Sequence, residues 1–228
     1  MEQLTLDIGV AVGPSLASFW AGPNRAALEH LRLWLGDAGA ATLRSPVPTY
    51  LWGESGSGKT HLLKSVRAAL SEQHASAGWL DPATAEPPEF DAQWAVMLLD
   101  DVQSYNAVQQ HAAFNWFVNA QTHQRWVLAA GALPAADLGL REDLRTRLGW
   151  GHVFQLQVLE EDDRRIVLQS RALERGLRLS PEVLDFMLNR FSRDLSSLVE
   201  LLDQLDRFSL RTRRAITVPL VRSMLEQA

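Results

Sequence analysis

The spacing of apolar residues divides the chain into three stretches. Residues 1–15 alternate Leu and Ile with polar residues up to Gly13-Pro14 and read as a tail. Over 24–36, Ala27, Leu28, Leu31 and Leu35 recur on one helical face, and Gly36 is a natural stop. A loop of small residues and proline follows to residue 48, then a short apolar strand at 49–52 breaks straight into a glycine-rich run and a helix over about 60–74. Residues 82–92, rich in Pro and acids, predict a loop. The apolar run 94–99 predicts a buried strand ending in Asp100-Asp101, 114–123 a helix, and 126–130 a further strand punctuated by Gly131 and Pro134.

Strands alternating with helices imply βαβ units and a mainly parallel sheet. From about 159 the pattern is helical only. Residues 162–175 open on acids and close on arginine before Gly176, which suits the helix dipole. Ser180-Pro181 predicts a capped start with proline in the first turn, and 193–208 carries Leu195, Leu198, Val199, Leu202 and Leu205 at helical spacing. The expected organisation is a tail over 1–15, an α/β core over 16–157 and a helical subdomain over 158–228, with no internal repeat.

Composition narrows the chemistry. With 228 residues and 46% hydrophobic content the chain can bury a real core. It has no cysteine, which removes disulfides, thiolate metal sites and cysteine nucleophiles. His30, His61, His74, His111, His123 and His152 show no metal-ligand spacing. The net charge of −5 is uneven: residues 1–151 hold 15 acidic and 10 basic side chains, residues 152–228 hold 12 of each. No basic stripe forms, so strong direct binding to DNA phosphates is not expected. No stretch approaches a membrane span, and Glu2 and Asp7 interrupt the N-terminal apolar residues, unlike a signal peptide. The expectation is a cytoplasmic protein.

The strongest chemical signal is Gly53-Glu54-Ser55-Gly56-Ser57-Gly58-Lys59-Thr60, a full GxxxxGK[ST] pattern between a strand and a helix. Glycines let successive backbone N–H groups wrap a phosphate, and the helix N-terminus adds its positive end. In this pattern Lys59 reaches the terminal phosphates and Thr60 holds Mg²⁺. Only Lys59 and Lys64 are lysine, against twenty arginines, so a chain that otherwise uses arginine keeps lysine at the phosphate position. A buried parallel strand over 94–99 would deliver Asp100 to the mouth of that loop, where a carboxylate can hold the hydration shell of Mg²⁺. The bound group expected is therefore ADP or ATP with Mg²⁺.

Several of these stretches together resemble the DnaA family of AAA+ proteins. GSGKTHLL, with His61, continues past the phosphate loop as that family's segment does, and LLDDVQ is similar to its acidic strand end. Leu144-Arg145-Thr146-Arg147-Leu148-Gly149-Trp150-Gly151 resembles the family's arginine-finger segment, with Arg147 at the finger position. Arg193-Asp194-Leu195 resembles its second sensor, which places Arg193 among the nucleotide-binding residues. The resemblance spans about 16–228 and implies an α/β AAA+ core with a mainly parallel sheet flanked by helices, plus a helical lid. Within the family the chain is most similar to the Hda group of short regulators. It ends at residue 228 without a helix-turn-helix region, and Gln3-Leu4-Thr5-Leu6-Asp7-Ile8 looks like that group's peptide for the sliding clamp. Gln3 would enter a small polar pocket, and Leu4, Leu6 and Ile8 an apolar groove. On the residues alone the same six read better as an edge strand, and it is the family resemblance that favours the clamp peptide.

Two positions depart from the pattern. Asp101 stands where many such ATPases carry glutamate to orient the attacking water, and it is one methylene shorter. The first-sensor position after the strand 126–130 is Ala132, which has no polar group. Both point to nucleotide binding with slow hydrolysis in the chain's own site. Arg141, Arg145 and Arg147 also admit a plainer reading as a solvated helix face. What the resemblance implies is an adaptor that binds the β sliding clamp of DNA polymerase III and supplies Arg147 in trans to ATP held by DnaA. The alternative is an autonomous AAA+ ATPase of helicase-loader (DnaC) type. Homo-oligomers are compatible with either.

Overall fold

The computed structural model describes residues 14–36, 45–190, 195–212 and 214–226. They fall into two compact units, one ending at Val158 and one beginning at Leu159.

The first unit is built on five parallel strands: β1 (Thr49–Trp52), β2 (Ser76–Leu80), β3 (Trp94–Leu99), β4 (Trp126–Gly131) and β5 (His152–Gln155), in the order β2-β3-β4-β1-β5. The mainly parallel sheet expected from the alternating pattern is present. Helix α1 (Arg25–Leu35) precedes β1, while α2 (Lys59–Glu72) connects β1 to β2, α3 (Ala107–Thr122) β3 to β4 and α4 (Glu142–Gly149) β4 to β5; β2 passes to β3 through residues 81–93 without a helix. Helices pack on both faces of the sheet, and β1, β3 and β4 are accordingly apolar almost without alternation. One apolar cluster joins α1 and α2 to the sheet through Leu31, Leu62, Leu63, Val66, Leu98 and Leu128. The other joins α3 and α4 to it through Met97, Leu99, Trp116, Phe117, Leu144 and Leu148.

Local chemistry sets the element ends, with some departures from expectation. Helix α3 starts seven residues earlier than residue 114. Asn106 accepts from the Gln109 backbone N–H while the Gln109 side chain accepts from Asn106 N–H, a reciprocal cap that fixes the start. Strands β2 and β5 were not expected from the pattern. Each is short, and pairing with β3 and β1 respectively defines it. Leu148 and Gly149 belong to the last turn of α4.

The second unit holds α5 (Glu161–Glu174), α6 (Pro181–Arg190), α7 (Leu195–Thr212) and α8 (Val218–Leu225), the expected all-helical lid. Its core is Leu168, Val183, Leu184, Met187, Leu198, Leu202, Leu205, Leu220 and Val221. Gly176, at φ +71°, ends α5, where the Leu177 N–H reaches the Ala172 carbonyl. Arg175 Nε donates to Asp203 Oδ1 at 2.7 Å and ties α5 to α7. Among the described residues no helix is long and apolar enough to cross a membrane.

Candidate functional site

Parallel strands in register bring their C-terminal ends to one edge of the sheet. Trp52 pairs with Gly131, and Leu99 with Ala129. The chain leaving β1 at Gly53, β3 at Asp100 and β4 at Ala132 therefore meets at that edge, where open α/β sheets bind ligands. Gly53 N–H donates to the Gly131 carbonyl at 3.2 Å, and Asp100 N–H to the Leu80 carbonyl at 2.9 Å.

The loop from Gly53 to Thr60 is shaped by glycines at positive φ and by its own hydrogen bonds. Gly58, at φ +92°, is the last residue before α2, and a Cβ there would stand 2.6 Å from the Phe19 ring. Glycine meets both demands. Lys59 is only 7% exposed. Its ammonium donates to the carbonyls of Gly53 and Glu54, each at 2.8 Å, and to Ser57 Oγ at 3.4 Å. Burial lowers its pKa, partly offset by Asp101 and Asp100. A phosphate would replace two carbonyl dipoles with full negative charge. Ser57 is buried, and its N–H contacts the Glu54 carbonyl. Ser55 and Gly56 lie at the tip of the same loop, Glu54 and Ser55 being exposed.

Asp100, 4% exposed, accepts from the Asp101 backbone N–H at 3.2 Å and from the Thr60 hydroxyl. Burial pushes its carboxyl above the ordinary value, against the pull of the Thr60 bond, and the Asp101 charge adds to the rise. Thr60 and Asp100 thus present two hard oxygen donors side by side, which suits Mg²⁺. Among the described residues no three His, Cys, Asp or Glu side chains form a metal cage. An ion here would take most of its ligands from phosphates and water.

Three features of this edge were not read from the sequence. The segment before α1 lies on the phosphate loop: Phe19 meets Gly58, and His61 Nε2 lies 3.3 Å from the Ser15 carbonyl and 3.4 Å from Ser18 Oγ. Buried Asn24 grips the Gln157 backbone, donating to its carbonyl at 2.9 Å and accepting from its N–H at 2.8 Å. Gln103, on the turn Val102–Ser104, donates from Nε2 to Asp101 Oδ1 at 3.3 Å and accepts the Ala132 N–H at Oε1, 3.0 Å. The capping pattern Asn106-x-x-Gln109 is a local signal that could have placed the helix start, though it was not read from the sequence. A side chain bridging two loops had no local signal.

Arg147 occupies another surface. Its guanidinium stacks on the Phe114 ring at 5.2 Å, and Nη1 contacts Gln121 Oε1 at 3.4 Å. Arg141 stacks on the same ring at 5.4 Å and pairs with Asp143 at 2.6 Å. Phe114, Arg141, Glu142, Asp143, Thr146 and Arg147 line an open groove of about 760 Å³ that includes no phosphate-loop residue. Arg193, Gln3, Leu4, Leu6 and Ile8 lie outside the described residues.

Comparison with known proteins agrees with this architecture. Residues 161–225 match the family "Hda, lid domain". An uncharacterized protein of Haemophilus influenzae is 33% identical over 98% of both chains. Domain III of the replication initiation protein DnaA from Thermotoga maritima superposes with a TM-score of 0.73 at 18% identity, covering 93% of this chain and 95% of that one. AMPPCP-bound DnaA from Aquifex aeolicus gives 0.65 at 21% identity, over 86% and 72%. With an Hda-type lid domain over residues 161–225 and a fold like that of DnaA domain III, the chain belongs to the Hda/DnaA family of AAA+ proteins.

Proposed function

We propose that this protein is a regulator of replication initiation that binds ADP or ATP with Mg²⁺, docks on the β sliding clamp through residues 3–8, and offers Arg147 to ATP held by DnaA. The observation carrying this reading is the separation of two functional surfaces on one core. The phosphate loop, with buried Lys59 beside Thr60 and Asp100, forms a nucleotide site. Arg147 sits in a groove that contains none of those residues. An arginine so placed suits a neighbouring molecule's site, where a planar guanidinium stabilises charge developing on the transferred phosphoryl group. Solved relatives include a DnaA bound to AMPPCP, which supports an adenine nucleotide as the ligand.

In its own site Lys59 would neutralise terminal phosphate charge, Thr60 and Asp100 would hold Mg²⁺, and the glycine-rich loop would donate backbone N–H groups. Mg²⁺ supplies charge neutralisation across the phosphates when bound. Ala132 has no polar side chain to aim a water, and Asp101 is short for that task, so turnover here should be slow. Arg193, matching the family's second sensor, is proposed as a further nucleotide-binding residue. The domain limits proposed are tail 1–15, core 16–157 and lid 158–228, and the reading implies a protein of the bacterial cytoplasm.

The deciding experiment measures hydrolysis of DnaA-bound ATP with clamp loaded on DNA. The protein should accelerate it, and Arg147→Ala should lose about 10³-fold or more of the acceleration while retaining fold and ADP binding. Arg147→Lys should recover little, since it keeps charge without the planar fork of donors. Exchanging Gln3 and Leu4 for alanine should abolish co-elution with the clamp and leave thermal stability unchanged. Brisk ATP turnover by the protein alone, with no effect on DnaA, would instead identify an autonomous ATPase of helicase-loader type.

A further inference from the structure

We propose that Gln103 is a positioning residue of the nucleotide site: it holds Asp101 against the end of β4 and stands in for the polar side chain that Ala132 lacks. This inference rests on the phosphate-loop site binding a nucleoside triphosphate.

Donors and acceptors fix the orientation of the Gln103 amide. Its oxygen meets the Ala132 N–H at 3.0 Å, and a backbone N–H can only donate. Its nitrogen meets Asp101 Oδ1 at 3.3 Å, and a carboxylate only accepts. Flipping the amide would set oxygen against oxygen and nitrogen against N–H, so the bridge has one sense. Its two ends are the residue after the acidic strand end and the residue after β4, the two places from which this edge could aim a water.

The platform beneath the bridge is rigid. Asp101 takes the left-handed conformation at φ +49°, which aspartate tolerates better than most residues. The turn it opens closes through Ser104 N–H on the Asp101 carbonyl at 3.0 Å and Tyr105 N–H on the Val102 carbonyl at 3.2 Å. Val102 is buried, and the Tyr105 hydroxyl donates to the Leu80 carbonyl at 2.7 Å. The turn also lies against the end of β4, for a Cβ on Gly131 would stand 3.0 Å from a Val102 methyl. Gln103 is therefore held at both ends of its amide, while the residue as a whole is half-exposed. With Oδ1 of Asp101 engaged, the carboxylate keeps one orientation, and its second oxygen can take a water's proton. That water's oxygen bonds to the γ-phosphorus as the bond to the β,γ-bridging oxygen breaks, giving ADP and inorganic phosphate.

The test uses the full chain and three measurements: calorimetric ADP binding, amide hydrogen exchange at Ala132 without nucleotide, and single-turnover hydrolysis of Mg-ATP. In Gln103→Ala the Ala132 amide should exchange about tenfold faster, whereas Gln103→Glu keeps an acceptor and should protect it. Both variants should bind ADP normally and hydrolyse ATP about ten- to a hundredfold more slowly, the loss expected when a reacting group is misplaced. Gln103→Ala combined with Asp101→Asn should be no slower than Asp101→Asn alone, because one removes the reason for the other. Adding Ala132→Asn to Gln103→Ala should restore part of the rate. Additive losses, an unchanged rate in Gln103→Ala, or wild-type turnover no faster than Asp101→Asn would each overturn the role of Gln103. Failure of the wild-type protein to bind ADP or ATP would sink the nucleotide site itself, which is a different result.

Discussion

Asp100 carries opposite consequences for folding and for function, and Asp100→Asn separates them. Asp100 is 4% exposed, so its charge is held away from water, with hydrogen bonds from the Thr60 hydroxyl and the Asp101 N–H and attraction from Lys64 and Lys59. Asparagine keeps the shape and an acceptor oxygen, and the Thr60 hydroxyl can turn to accept from the new amide nitrogen. Two hydrogen bonds to a charged group become neutral ones, a loss of about 1 kcal/mol each. Against this stands relief of a buried-ion penalty of several kcal/mol, together with removal of repulsion from Asp101, from which the lost attraction of Lys64 and Lys59 must be subtracted. The balance favours the nucleotide-free variant by about 1 kcal/mol, or about 2–4 °C in Tm for a chain of this size. The sign with pH follows from burial holding the folded pKa above the ordinary 3.8. The charged form's cost is absent below the unfolded value and complete above the folded one. The Tm advantage of Asp100→Asn should thus be full at neutral pH and vanish on acidification below about pH 4. Thermal unfolding followed by circular dichroism from pH 3.5 to 7.5 measures it, and calorimetry should show Mg²⁺-dependent nucleotide affinity falling in the same variant. A variant less stable than wild type at pH 7 would refute the reasoning, since Asp100 would then be a net stabilising charge.

Lys59→Ala should weaken ADP binding about a hundredfold, the worth of two charge-assisted bonds to phosphate, as calorimetry reads directly; equal affinity in the variant would remove Lys59 from the site. Because burial depresses the Lys59 pKa, the ammonium is complete below that lowered value, and ADP affinity should begin to fall below pH 10.5 as pH rises. Asn24→Ala removes both bonds to the Gln157 backbone and should cost about 1–3 kcal/mol, seen as a lower Tm; Asn24→Asp, which keeps only the acceptor, should lose part of that.

Features set by neighbouring residues were readable without coordinates. The phosphate loop is continuous in sequence, and its strand–loop–helix setting is there in the run from Thr49 into the α2 helix. The apolar stretch from Trp94 to Leu99 announces a strand buried on both faces, and its acidic end follows with it. The lid helices declare themselves by 3.6-residue spacing and by stop signals such as Gly176. These are matters of backbone propensity and burial pattern, which a chain carries locally.

Other elements exist only because something packs against them. Ser76–Leu80 contains Gly78, where a Cβ would meet Trp94 at 2.4 Å; that glycine weakens the strand signal and is required by the neighbour. His152–Gln155 is a four-residue edge strand with little apolar character, and pairing with β1 makes it a strand. Arg147 matches the arginine finger by resemblance, with a solvated basic cluster as the plainer reading; that α3 sets Phe114 beneath it and Arg141 together could not be read locally. Gln103 is an ordinary polar residue in sequence, and its partners lie two residues behind it and 29 residues ahead. A hydrogen bond that short-circuits 29 residues depends on where the sheet places its strand ends, so tertiary structure alone decides it.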